Sequence, residues 1–319
     1  VGQIENIILY APRDAYFSYF NSPYTGHELG TSIDIYPSHQ EYGGSVTSPI
    51  NGTINRIQKI KMGRERNFPT EPYDFGIALK PERDSDDIVR ILHCIPEVGI
   101  NDRVDIGDHI GFTIRSRYFN YWTGPHYHVD VMNEKDFGRA SKSYPLTLCV
   151  AFSSRSKLIF QESIECEIID VSEDILIAVS KDYPTCHADE IAGLAATCNE
   201  SKTVGVLDGG VSHYGHGGIW TNSLGNIGEE VNLWNHPIGR VSKVTSEYCL
   251  FKKGPGLEFK IDGLPVRGLS CFIFSKHQLI QGLVPLLIIP SQRGEYTNVI
   301  EEGDVCLLSV QEQNSRIKS

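Results

Sequence analysis

Apolar and polar positions alternate along most of this chain, in short runs closed by Gly, Pro, Asn or Asp. TSIDIYP, GSVTSPI, GTINRIQKI, FGIALKP, DIVRILHCI, HIGFTIRS and HYHVDVM follow one another in the first half. KLIFQ, CEIIDV, ILIAVS, EYCLFKK, LEFKID, SCFIFS, PLLIIP and DVCLLSV continue the pattern in the second. A period of two with Ile, Val, Thr, Tyr and Phe at the inward positions is the signature of half-buried antiparallel strands. The pattern therefore predicts an all-β, mainly antiparallel protein. One segment reads differently: HADEIAGLAATCN, residues 187–199, has Asp189 and Glu190 near a start and Asn199 near an end, and is expected to be helical. The polar stretch NEKDFGRASKSYPL, residues 133–146, interrupts the strands and ends in a proline. It divides the chain into an expected domain over 1–145 and a second β-rich domain over 146–319.

Composition narrows the functional classes. At 319 residues with 40% hydrophobic residues, the chain can bury cores without covalent staples. Its 40 acidic against 29 basic residues leave a net charge of −11, which argues against nucleic acid as a partner. The basic run RIQKIKMGRER (56–66) reads as a solvated strand end. The eight cysteines are scattered, without a CxxC, and several lie in apolar runs such as LTLCVAF. They are expected to be reduced, buried thiols in a cytoplasmic protein. The longest apolar stretch, GLVPLLIIP, is far short of the roughly 20 residues that span a membrane, so no membrane partner is expected.

Candidate chemistry starts at GPHYHVD, residues 124–130. Positions i and i+2 of a strand share a face, so His126 and His128 present two imidazoles side by side. One can bind a metal while the other stays free as acid or base. Alone, such a pair is more often two surface histidines. His27 and Asp34, in HELGTSIDI, can reach one point from either side of a bend, although a loop histidine and a turn-capping aspartate explain them as simply. His93, in RILHCI, sits in an apolar strand, where a satisfied core histidine is the commoner case.

Their order adds information. HELGTSID, SPINGTI, RILHCI, VDIGDHIGF and TGPHYHVDV occur in succession between residues 27 and 131. In this order they resemble the motifs of the lysostaphin/LytM-type zinc metallopeptidases, over about the first 140 residues. The resemblance implies a lysostaphin-like β-sandwich or barrel. It implies one Zn²⁺ per chain held by His27, Asp34 and His128, with His93 and His126 as free catalytic histidines. It also implies hydrolysis of a peptide or amide bond by a zinc-activated water, and hence a peptide-like substrate. The alternative is a non-catalytic metal- or peptide-binding protein that kept the fold.

Two departures from the family pattern bear on that choice. Six residues separate His27 from Asp34 where the family has three, with His39 as a fallback ligand. The small residues that usually precede TGPH are replaced by RSRYFNYW. A groove blocked by Tyr118, Phe119, Tyr121 or Trp122 would favour the non-catalytic reading, and an open groove would count against it. In the second half, LDGGVSHYGHGGIW places His213 and His216 three apart among glycines. This pair can supply a second metal site or complete the first, but a tight turn is the simpler reading.

Overall fold

The computed structural model describes residues 1–37, 41–83, 85–148, 153–154, 162–188, 190–198, 203–221, 225–254 and 256–312. Nearly every described element is a strand, and within each unit the described strands pair antiparallel. The chain divides into two compact units, Val1–Tyr19 with Tyr24–Cys149, and Phe20–Pro23 with Val150–Ser319.

The first unit is built on one antiparallel sheet. In chain order its elements are a hairpin of β1 (Gly2–Ile4) and β2 (Ile7–Leu9), then β3 (Tyr16–Ser18), helix α1 (Thr25–Leu29) and β4 (Ser32–Tyr36). There follow β5 (Ser45–Thr47), β6 (Gly52–Lys61), β7 (Tyr73–Pro81), β8 (Asp87–Leu92) and β9 (Cys94–Pro96). Last come β10 (Arg103–Val104), β11 (His109–Thr113) and β12 (Tyr127–Asn133). The main sheet runs β3-β4-β12-β8-β7-β6-β10, and a smaller one runs β5-β11-β9.

Alternation sorts the residues of β12 onto two faces. Tyr127, Val129 and Val131 point one way, with Ile33, Ile35, Val89, Ile91, Ile77 and Leu79 from the neighbouring strands, all fully buried. Each of the aliphatic side chains among them contributes about 1.5–3 kcal/mol by leaving water. The opposite face carries His128 and Asp130, with Asp34 and Arg90 as cross-strand neighbours. Further along it, Ala78, Ile88, Met132 and Phe137 form an apolar cluster. The chemistry is thus displayed on one face of a sheet whose other face is core.

Two glycines of the family-like motifs are required by close approach. A Cβ on Gly52 would lie 2.4 Å from the Lys80 carbonyl oxygen, and one on Gly111 would lie 2.0 Å from that of Ile95. Both clashes are with a neighbouring strand's backbone, which cannot swing aside as a side chain can.

In the second unit the strands close on themselves twice. Ser163–Val171, Leu176–Val179, Leu286–Pro290, Leu264–Cys271, Leu257–Ile261 and Val305–Glu312 pair in sequence, and the last returns to the first. Ile191–Cys198, Thr203–Val211, His216–Trp220, Tyr248–Lys253, His236–Val244 and Glu230–Leu233 form a second closed ring. Closure removes the unpaired edges that promote aggregation. The expected helix over 187–199 is therefore corrected to the strand Ile191–Cys198; Asp189 and Asn199 lie outside the described residues. The reason is packing. A Cβ on Gly193 would lie 2.5 Å from Val206 Cγ1, and Ala192, Ala195 and Ala196 are buried. The small residues admit neighbouring strands, and their helical propensity is overridden. The expected strand KLIFQ and the fallback ligand His39 lie outside the described residues. No helix of the described residues is long and apolar enough to cross a membrane.

Candidate metal centre

The register of β4 against β12 places Asp34 directly opposite His128. Of the six residues between His27 and Asp34, Glu28 and Leu29 complete α1, Gly30 ends it in the left-handed region (φ 73°), and Ser32 and Ile33 open β4. The reversal at Gly30 brings His27 back over Asp34. The longer spacing is thereby absorbed without moving the histidine away.

Three ligand atoms converge. His27 Nε2 lies 3.1 Å from His128 Nδ1 and 3.2 Å from Asp34 Oδ1, and His128 Nδ1 lies 2.8 Å from Asp34 Oδ1. A tetrahedral zinc with N and O ligands separates them by about 3.3 Å, so the triangle is close to the size that zinc requires. The hydrogen bonds on the far sides of the rings fix which nitrogens face inward. His27 Nδ1 is 2.8 Å from the Tyr19 carbonyl and donates to it, leaving Nε2 with its lone pair. His128 Nε2 faces the Asp130 carboxylate at 3.5 Å, leaving Nδ1 toward the centre. Two imidazole lone pairs and a carboxylate facing one another need a cation or a proton between them. Burial alone would lower the pKa of His128, but its bonds to Asp130 and Asp34 outweigh that and raise it to about 9. Burial likewise opposes ionisation of Asp34, yet His27, His126 and His128 hold its carboxyl well below the usual range. The donor set thus fits a divalent ion, and among the described residues His27, Asp34 and His128 are the group that can hold one.

The other two histidines stand beside this group. His126 donates from Nδ1 to the Gly124 carbonyl (2.9 Å), which leaves Nε2 as the lone-pair nitrogen, 3.6 Å from Asp34 Oδ2. Burial lowers its pKa to about 4, so it is neutral at pH 7. His93 is not a strand residue. It sits at the break between β8 and β9 with φ 65°, and its ring lies 5.2 Å from that of His126 and 6.1 Å from that of His128.

Supporting residues that the sequence did not reveal complete the centre. Arg90 donates from Nε to Asp130 Oδ1 (3.0 Å) and pairs with Oδ2 through Nη2, while Ser143 Oγ donates to the same carboxylate (2.8 Å). Asp130 in turn orients His128. Asp74 holds His93. None of these has a local motif, because each meets its partner only through sheet register or a loop far away in sequence.

The segment RSRYFNYW roofs the centre. Phe119 lies edge-on to His93 at 4.6 Å and 4.9 Å from the His126 ring, and Tyr118 is 5.4 Å from His93. Tyr118 stacks on Tyr24 at 4.0 Å, and Arg66 and the Tyr24 hydroxyl donate to its carbonyl. His27, Asp34, His93, His126 and His128 are accordingly between 1% and 7% exposed.

Residues 6–148 match the family model described as "Domain of unknown function (DUF8155) N-terminal domain", and residues 167–291 match that of its C-terminal domain. The chain belongs to the DUF8155 family. No curated protein matches it. The DUF8155 chain is also similar to the solution structure of lysostaphin, at 16% identity over 75% of this chain and 94% of that one. The TM-score is 0.24. In the second unit, His213 lies in the turn between two paired strands and His216 opens the second of them, and neither belongs to the group that could hold a metal.

Proposed function

We propose that the first unit is a zinc-dependent hydrolase centre acting on a peptide or amide bond, with a peptide-like substrate. The observation that carries this reading is the convergence of His27 Nε2, Asp34 Oδ1 and His128 Nδ1, and the five motifs resembling the lysostaphin/LytM-type peptidases support it. Zinc held by these three atoms would supply Lewis acidity, acidifying a water and polarising a carbonyl. His126, neutral and with Nε2 unprotonated, is equipped to accept a proton from the attacking water and return it to the leaving amine. His93 stands on the same side, able to donate to the developing oxyanion once protonated at Nε2, or to share the proton with His126.

The aromatic roof favours a second reading, a non-catalytic metal centre that kept the fold. With Tyr118 and Phe119 over the histidines, a peptide reaches the centre only if the 115–122 segment moves. Metal analysis of protein purified without chelator, beside His128→Ala, tests the shared premise. About one zinc per chain, lost in the variant, is expected; retained stoichiometry would remove the assignment. A peptide-library assay on the zinc-loaded protein then separates the readings. Cleavage abolished by His126→Ala supports the hydrolase, and full zinc occupancy without cleavage supports the binding protein.

A further inference from the structure

His93 is held by more contacts than a core histidine needs. It occupies the left-handed region at φ 65°, a conformation that non-glycine residues adopt rarely and that a surrounding structure must impose. One carboxylate imposes it. Asp74 Oδ1 accepts the backbone N–H of His93 (3.1 Å) and that of Phe75 (2.7 Å). Its Oδ2 faces His93 Nδ1 at 2.6 Å and accepts Ser116 Oγ at 2.8 Å. These four donors use the four lone-pair positions that an ionised carboxylate offers. Asp74 is 3% exposed, so water does not compete for them.

From this geometry we infer that Asp74, supported by Ser116, is the positioning residue for His93, fixing both its backbone break and its ring tautomer with the proton on Nδ1 and the lone pair on Nε2. The reasoning is one of complementarity. An oxygen with lone pairs only can face Nδ1 only if Nδ1 carries hydrogen, and a neutral imidazole then keeps its lone pair on Nε2. The backbone bond to the same side chain sets where the ring hangs, beside His126 and under Phe119. His126 is fixed in the same tautomer by the Gly124 carbonyl. The centre thus holds two imidazoles with matched tautomers, one set by backbone and one by Asp74. This inference rests on the hydrolase reading for its purpose, but not for its test.

The test is histidine-selective ¹⁵N labelling of the full chain, zinc-loaded, with long-range ¹H–¹⁵N correlation at pH 8. His93→Gln identifies the His93 signals. In the parent protein, His93 should show a protonated Nδ1 and a lone-pair Nε2. Asp74→Asn replaces an acceptor by an amide whose N–H₂ can face Nδ1, and should move the proton to Nε2 in most molecules. Ser116→Ala, the milder change, should leave the Nδ1–H form dominant while shifting the Nδ1 proton signal, and it serves if the first variant does not fold. A parent His93 with the proton on Nε2, or an Asp74→Asn protein with its tautomer unchanged, would overturn the assignment. A protein that shows the expected tautomers yet cleaves no peptide would leave the Asp74 assignment standing and remove the hydrolase reading instead.

Discussion

The buried pair of Arg90 and Asp130 offers a way to separate what stabilises the sheet from what orients the candidate ligand His128. Both side chains are nearly or fully buried, at 5% and 0% exposure, and they meet through two hydrogen bonds. Arg90→Met removes the cation and leaves the Asp130 carboxylate in the interior with Ser143 Oγ and His128 for company. An uncompensated buried charge of this kind costs about 3–5 kcal/mol. For a domain of this size, that lowers the melting temperature by about 6–20 °C. Adding Asp130→Leu removes the stranded charge, and the double variant should recover most of the loss. It should not recover zinc binding. Without Asp130, His128 loses the partner that fixes its ring, which weakens metal affinity by about 10–100-fold. Calorimetry of the metal-free proteins reads the first quantity, and competition against a chromophoric chelator reads the second. A cost under about 1 kcal/mol for Arg90→Met would show that the pair is not desolvated. Wild-type zinc affinity in the double variant would refute the orienting role of Asp130.

Three further outcomes follow from named contacts. Burial and the nearby Arg267 and Lys253 lower the pKa of His213 to about 3, and its Nδ1 donates to the Val211 carbonyl, so the folded ring is neutral. The unfolded chain takes up a proton below about pH 6.5, so stability should fall as pH drops through that value, by about 1–2 kcal/mol at pH 5. Urea midpoints compared with His213→Asn, which removes that titration, measure it. Gly111→Ala should cost about 2–3 kcal/mol or more, because the neighbouring strand's carbonyl must move; an unchanged thermal midpoint would contradict the close approach. Phe119→Ala should open the roof and speed zinc removal by a chelator several-fold in stopped-flow measurements, whereas an unchanged rate would mean that the ring does not limit access.

The sheet was legible where two faces differ in polarity. The runs from TSIDIYP to HYHVDVM all fall on strands, because inward Ile and Val alternate with polar positions. The pattern was ambiguous where both faces are buried. IAGLAATC, with small residues throughout, carries no period to distinguish a strand from a helix, and only its close-packed neighbours decide. His93 also reads as a strand residue, since a single left-handed residue leaves no mark on an alternating pattern. The three side chains that converge, His27, Asp34 and His128, were visible in the sequence as spacing and order. Asp74, Arg90 and Asp130 were not, because a carboxylate's partners are set by strands that meet across the fold rather than by neighbours in sequence.

The sequence separation of the candidate ligands has a kinetic consequence. His27 and His128 are 101 positions apart, and His128 lies on a strand that is complete only when β4 and β8 have closed on either side of it. Bringing such distant segments together carries its entropic cost before any metal bond can form. Zinc held by these residues would therefore not template this domain as it does a short finger peptide. It would enter a sheet already assembled, and its free energy would fall on the native side of the folding barrier. The metal should slow unfolding while leaving the folding rate nearly untouched, so that loss of zinc shortens the lifetime of the folded unit without changing how quickly it is made.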